Sequence, residues 1–233
     1  MRINLYLANV LGISRRAADR EIESGAVRLG EKKAVLGDQV NEGDKVTFKG
    51  KPVVVTRTEP TTIMLHKPYG YITSRKRDET EAPTVMELLP KELQHLKPIG
   101  RLDKESDGLL LLTDDGDLLY KSTHPKFKTE KEYLVSFETP LSMGEMEMWR
   151  RGMRLPDGIA KADRIERAPD KRFLVVLHQG KNRQIRRMAG KTGNKVMTLT
   201  RTRVGDIVLG TLKLGEWKKL ALKKEVKKPI QKK

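Results

Sequence analysis

The chain has 233 residues, no cysteine and a hydrophobic fraction of 37%, with a mean hydropathy of -0.58. That length can bury a substantial core, the absence of cysteine excludes a disulfide scaffold, and no apolar run approaches the ~18 residues of a membrane span. Forty-eight Lys and Arg against thirty-one Asp and Glu leave a formal charge of +17, which makes an anionic polymer the first partner to consider, nucleic acid ahead of an acidic membrane.

The opening residues, MRINLYLANVLGISRRAADRE, lack the basic head, long apolar stretch and small-residue cleavage site of a secretory signal, so a cytoplasmic protein is expected. Ile3, Leu7, Val10 and Leu11 recur at helical spacing, Gly12 ends the turn, and Ser14 can cap a second helix running to about Ser24. The piece that follows, AVRLGEKKAVLGDQVNEGDKVTFKG, has short β-type runs between Gly-containing turns and closes a small α+β domain over residues 1–60. The polar stretch from Thr56 to Thr62 reads as a linker before Ile63, Met64 and Leu65 restart the apolar pattern. Strands are then predicted at IML (from 63), LLLL (109), EYLVSF (132), FLVVL (173), VMTLT (196) and DIVLG (206), and helices over Val85 to Glu92, Asp117 to Ser122, Ser142 to Met153 and Asn182 to Thr192. That pattern predicts a mainly antiparallel sheet flanked by helices over 61–222, hence an α+β fold overall, with a frayed basic tail over 223–233.

Metal and phosphate sites have little support. His66, His95, His124 and His178 have no second ligand at helical spacing, so no metal is expected. Gly190, Lys191 and Thr192 resemble the end of a phosphate-binding loop, but Ile185 stands where that loop needs a glycine. Asp114 to Asp117 lack the alternation and distal glutamate of a calcium loop. Positive charge is concentrated between Gly180 and Arg203, where eight basic residues stand with no acidic one. What stands out is a carboxylate: in KPIGRLDKESDG (97–108), Gly100 allows a sharp turn and four leucines follow, so Asp103 is predicted on a loop anchored by a buried strand.

The stretch PIGRLDKESDGLLLLTDDG closely resembles the central motif of the bacterial pseudouridine synthases, in the family named for the small-subunit ribosomal RNA enzyme RsuA. HKPYGYITS (66–74), KEYLV (131–135) and GKNRQIRRM (180–188) resemble that family's other motifs, in the family's order, and residues 1–60 look like the RNA-binding domain of ribosomal protein S-four. The resemblance implies an isomerase of specific uridines in ribosomal RNA, needing no cofactor. Asp103 becomes the catalytic carboxylate, for which both addition to the base and assistance to a ribose glycal stay open. Arg186 matches the arginine that pairs with the aspartate and would hold its orientation. Tyr133 matches a tyrosine that stacks on uracil and takes part in proton transfer, Ile185 an apolar residue of the base pocket, and Arg101 a cation that keeps the nucleotide flipped.

Arg183 and Arg187 read as phosphate-binding cations, as do Arg15, Arg16 and Arg20 on the second helix and Lys32 and Lys33 on the turn after it. Tyr69 and Tyr71 could stack on RNA. With 5% aromatic residues no broad stacking platform is expected, so phosphate contacts and RNA shape should dominate binding. No heptad seam demands more than a monomer. The competing readings are a catalytically silent RNA-binding or ribosome-assembly factor of the same fold, and a synthase acting on tRNA.

Overall fold

The structure, a computed structural model, describes residues 1–41, 43–53 and 60–221. The chain divides into two compact units, Met1–Glu59 and Pro60–Lys233.

In the first unit, α1 (Ile3–Leu11) ends on Gly12 at a left-handed φ of 65°, and α2 (Arg15–Glu23) begins where the Ser14 hydroxyl accepts the Ala17 N–H. β1 (Val27–Leu29), β2 (Lys32–Lys33), β3 (Val46–Phe48) and β4 (Lys51–Pro52) form a sheet in the order β2-β1-β3-β4. Ile3 and Leu7 of α1, Ala18 and Ile22 of α2, and Val27 and Val46 of the sheet share one apolar core.

The second unit contains β5 (Thr62–Lys67), β6 (Lys97–Ile99), β7 (Asp107–Thr113), α3 (Gly116–Thr123), β8 (Lys131–Phe137), α4 (Met143–Arg151), β9 (Met153–Leu155) and β10 (Gly158–Ala160). Next come β11 (Arg164–Ala168), β12 (Arg172–Leu177), α5 (Gln184–Lys191), β13 (Val196–Val204), β14 (Ile207–Val208) and β15 (Trp217–Lys219). Nine of its strands make one sheet ordered β11-β12-β8-β13-β7-β5-β15, with β14 beside β13 and β6 beside β7. Its pairs are antiparallel except β13 with β7.

The four leucines of β7 are explained by burial on both faces. Leu110 and Leu112 meet Ile63, Leu65 and Val85 on one side, while Leu109 and Leu111 meet Met64, Ile99 and Val204 on the other. Trp149 of α4 and Met188 of α5 join Phe137, Phe173 and Val175 in the third core, so both helices are laid on the sheet.

Local departures from the predicted elements have identifiable causes. Residues 85 to 92 form two short 3₁₀ turns, Val85–Leu88 and Lys91–Leu93, because Pro90 lacks an N–H and pushes Leu89 out of the helical region. α4 stops at Arg151, and Gly152, at φ 98°, leads into the β9–β10 hairpin. Lys32 and Lys33 sit in β2, not on the turn before it. Residues 56–59 of the predicted linker and the basic tail over 223–233 lie outside the described residues.

Candidate active site

Gly100, at φ 73°, turns the chain out of β6 into the loop that carries Asp103. Three contacts fix that loop. The Thr73 hydroxyl donates to the Leu102 carbonyl at 2.8 Å and accepts the Leu102 N–H at 3.1 Å. The Gly70 N–H donates to the Lys104 carbonyl at 2.8 Å. The fully buried Lys67 ammonium donates to the carbonyls of Ser106 (2.6 Å) and Pro68 (3.0 Å). Burial pushes Lys67 down to about 8, against the opposing pull of Asp107 and Asp103. The HKPYGYITS segment is thus a clamp on the aspartate loop. Its three donors, Lys67, Gly70 and Thr73, all come from the 66–74 stretch.

From the other side, α5 contributes two guanidinium groups. Arg183 takes a left-handed φ of 47° at the helix start, which is why α5 begins at Gln184 and not at Asn182. Its Nη1 lies 2.6 Å from Glu105 Oε2 and 3.8 Å from Asp103 Oδ2. The Arg183 hydrogen bond holds Glu105 below the usual carboxylate range. Arg186, expected to pair with Asp103, instead donates to the Glu105 carbonyl (2.5 Å), the Ser106 hydroxyl (3.3 Å) and the Val196 carbonyl (3.3 Å). The ion pair expected of Arg186 is therefore made by Arg183, one turn earlier, while Arg186 grips the backbone of the same loop. Burial, reinforced by the nearby Arg183, lowers the Arg186 pKa from its ordinary value.

Arg183 stands at the edge of a cleft of about 840 Å³ also lined by Arg101, Asp103, Tyr133, Ile185 and Arg201, among others. Tyr133 on β8 lies opposite Arg201 on β13 and Val175 on β12, half-buried between two apolar cores. Ile185 is 3% exposed. Arg101 is exposed, and among the described residues its side chain makes no hydrogen bond or ion pair. The structure therefore brings Asp103, Arg101, Tyr133, Ile185 and Arg183 to one cleft, with Arg186 directly behind the loop.

Arg187 does not face solvent as an unengaged cation. It forms a bidentate pair with Asp157 in the β9–β10 turn, both bonds at 2.9 Å, and Lys181 bonds the Asp157 carbonyl as well. Arg15, Arg16, Arg20, Lys32 and Lys33 are all exposed on the first unit. Tyr69 is exposed, whereas Tyr71 packs against the core beside Leu65.

Sequence reading missed Arg201. It is 2% exposed, donates from Nε to the Leu109 carbonyl at 2.7 Å and from Nη1 to the Arg101 carbonyl at 3.3 Å, and its Nη2 has no hydrogen-bond partner. Its backbone approaches β7 so closely that a Cβ on Gly108 would lie 2.3 Å from the Arg201 carbonyl oxygen. The signal available was the alternation in TLTRTRV, which puts Arg201 on the same face as Leu199.

A carboxylate loop is thus held between a buried lysine and an arginine helix and opens on a cleft that Tyr133 of β8 also lines. The sequence pattern of the RNA pseudouridylate synthase family matches residues 61–191, and the chain belongs to that family. It is 37% identical to an uncharacterized RNA pseudouridine synthase of Aquifex aeolicus (strain VF5), over 94% of this chain and 90% of that protein. It is 35% identical to the dual-specificity RNA pseudouridine synthase RluF of Escherichia coli (strain K12), over 94% of this chain and 75% of that one. A crystal structure of a pseudouridylate synthase superposes with a TM-score of 0.67 at 30% identity, covering 94% of this chain and 96% of the other.

Proposed function

We propose that the protein converts specific uridines of ribosomal RNA to pseudouridine, with Asp103 as the catalytic carboxylate. The observation that carries this reading is the convergence, in one cleft, of Asp103, Tyr133, Ile185 and Arg183 from three separate segments of the chain. About 840 Å³ is within the usual range for a site that encloses a nucleotide-sized ligand. Ribosomal RNA as the substrate is supported by a relative named ribosomal large subunit pseudouridine synthase B in Xylella fastidiosa, 38% identical over 89% of this chain and 46% of that protein. The exposed cations of the first unit, Arg15, Arg16, Arg20, Lys32 and Lys33, suit a structured RNA. On this reading the protein works in the cytoplasm as a monomer, on RNA or an assembling ribosomal particle.

The isomerisation breaks the bond from C1′ to N1 and forms one from C1′ to C5. C5 loses a proton and N1 gains one, so no external oxidant or reductant enters. Asp103 supplies the negative charge at the reacting centre, and Arg183, 3.8 Å away, keeps the carboxylate turned toward the cleft. Tyr133 is placed to cover one face of the uracil and to relay the C5 proton. Ile185 lines the apolar side of the base pocket, and the exposed Arg101, which has no side-chain partner among the described residues, can enter the gap left by the flipped nucleotide.

Tritium release from ribosomal RNA labelled at uracil C5 tests the reading. Wild type should release tritium, and Asp103→Asn should lose at least ~10³-fold in turnover while binding RNA within about twofold. An Asp103→Asn protein with substantial turnover overturns it.

A further inference from the structure

Among the described residues three Phe, Tyr or Trp side chains are exposed: Tyr69, Tyr120 and Phe127, at 65%, 47% and 42%. Tyr69 belongs to the clamp on the aspartate loop, and the other two stand together elsewhere. Tyr120 begins the last turn of α3, and Phe127 lies in the 3₁₀ turn Pro125–Phe127 just beyond it. Their ring centroids are 5.7 Å apart, and the His124 ring lies between them in sequence, 4.8 Å from Tyr120 and 6.4 Å from Phe127. The core does not require this arrangement, since no residue of α3 is fully buried and its apolar contacts to the core run through Leu118 and Leu119.

Two further observations identify the occupant. The Lys126 ammonium sits over both rings, 4.9 Å from the Tyr120 centroid and 4.7 Å from that of Phe127. From Leu118 to Thr129 the chain carries Lys121, Lys126 and Lys128 and no acidic residue. Aromatic faces beside lysines suit a ligand that offers a flat base and a phosphate at once. The surface is also continuous with the cleft, because Ser122, His124, Lys128 and Thr129 line the same cavity as Asp103.

We propose that Tyr120, His124 and Phe127 form a stacking platform for an unpaired base of the substrate RNA that flanks the uridine in the cleft, with Lys126 moving from the rings to that nucleotide's phosphate. The inference rests on the RNA-isomerase reading and adds a determinant of which uridines are accepted: one whose neighbour can unstack.

The test uses the full chain and labelled ribosomal RNA transcripts, with Kd, KM and kcat measured for wild type and for Tyr120→Ala/Phe127→Ala. The double variant is expected to raise Kd and KM about 10- to 100-fold, as loss of a stacked base does, with kcat within about twofold and an unchanged salt slope. Lys126→Ala should instead flatten the slope by about 0.7 to 0.9. Because the alanine pair could loosen the turn, Phe127→Trp and Phe127→Leu are compared as well. Trp should bind at least as tightly as wild type and Leu should not, whereas a merely apolar filler would be served by either. Wild-type Kd and KM in the double variant, or Leu equal to Trp, overturn the platform. So does a defect confined to ribosomal particles with naked RNA bound normally, which would assign the surface to a protein. If wild type binds RNA but releases no tritium, the isomerase reading fails while the Kd comparison still decides the platform.

Discussion

Gly108→Ala should be among the most damaging single-methyl additions in the second unit. Gly108 sits in the parallel pair of β7 with β13, opposite Arg201, at φ 106°. A Cβ there would lie 2.3 Å from the Arg201 carbonyl oxygen and 2.4 Å from its nitrogen, both backbone atoms that no rotamer change can remove. Restoring ordinary contact needs the strands to separate by about 1 Å, which strains a close-packed seam at roughly 1–3 kcal/mol. The glycine-only backbone conformation adds about 1–3 kcal/mol. Taken together, ~4 kcal/mol on a unit of this size lowers Tm by about 10 °C. Turnover should fall further than RNA affinity, because β7 follows the Asp103 loop and Arg201 ties that loop to Leu109. Gly144→Ala is the control, since that helical glycine has open space where its Cβ would go and the change should be neutral or stabilising by up to ~1 kcal/mol. Thermal melts of both variants decide the matter; a Gly108→Ala protein melting within about 2 °C of wild type refutes the clash.

Asp157→Ala removes the partner that engages Arg187 and Lys181, so RNA affinity should rise and the slope of log K against log salt should steepen by about 0.7 to 0.9 for each cation that then meets a phosphate. Filter binding across a salt series reads it, and an unchanged slope means the two cations face away from the RNA. Lys67 is held near 8 in the folded protein against an ordinary 10.5, so between those values the unfolded chain binds more protons and stability from this residue rises with pH. The stability of wild type relative to Lys67→Met should therefore grow from about pH 8 to 10.5, by at most ~3 kcal/mol. Denaturant titrations at the two ends would contradict the burial argument if the difference were flat.

The parts of the site that were legible in the sequence are those set by local chemistry. Ser14 and Gly12 delimit the first two helices through a hydroxyl cap and a left-handed turn, both readable from single residues. The four leucines announce a strand buried on both faces, and Gly100 announces the turn that exposes Asp103. What was not legible depends on distant partners. Arg183 leaves the helix because carboxylates about eighty residues earlier in the chain hold it, and nothing in GKNRQIRR distinguishes it from Arg186, one turn on. β11, whose one fully buried side chain is Ile165, shows too weak an alternation for its pairing with β12 to be seen. Arg201 is interior only because β7 offers a glycine opposite it, a relation between positions more than ninety residues apart.

The same distance effect changes what the positive charge is for. The eight basic residues from Gly180 to Arg203 have no acidic neighbour in sequence, which invites their reading as one phosphate-binding face. In the fold, Lys181 and Arg187 share Asp157, Arg183 shares Glu105 and Asp103, and Arg203 shares Glu130 and Glu132. Arg186 and Arg201 are satisfied largely by backbone carbonyls. Lys181, Arg183, Arg187 and Arg203 therefore contribute less to long-range attraction than their number suggests, since a paired charge presents a weak field beyond a Debye length. Attraction of RNA falls instead to exposed cations such as Arg101, Arg15, Arg16 and Arg20. Neutralising two of these should slow association and flatten its salt dependence. Neutralising Arg183 should leave the association rate within about twofold and lower turnover; equal slowing of association by both kinds of variant would show that the paired cations reach the RNA after all.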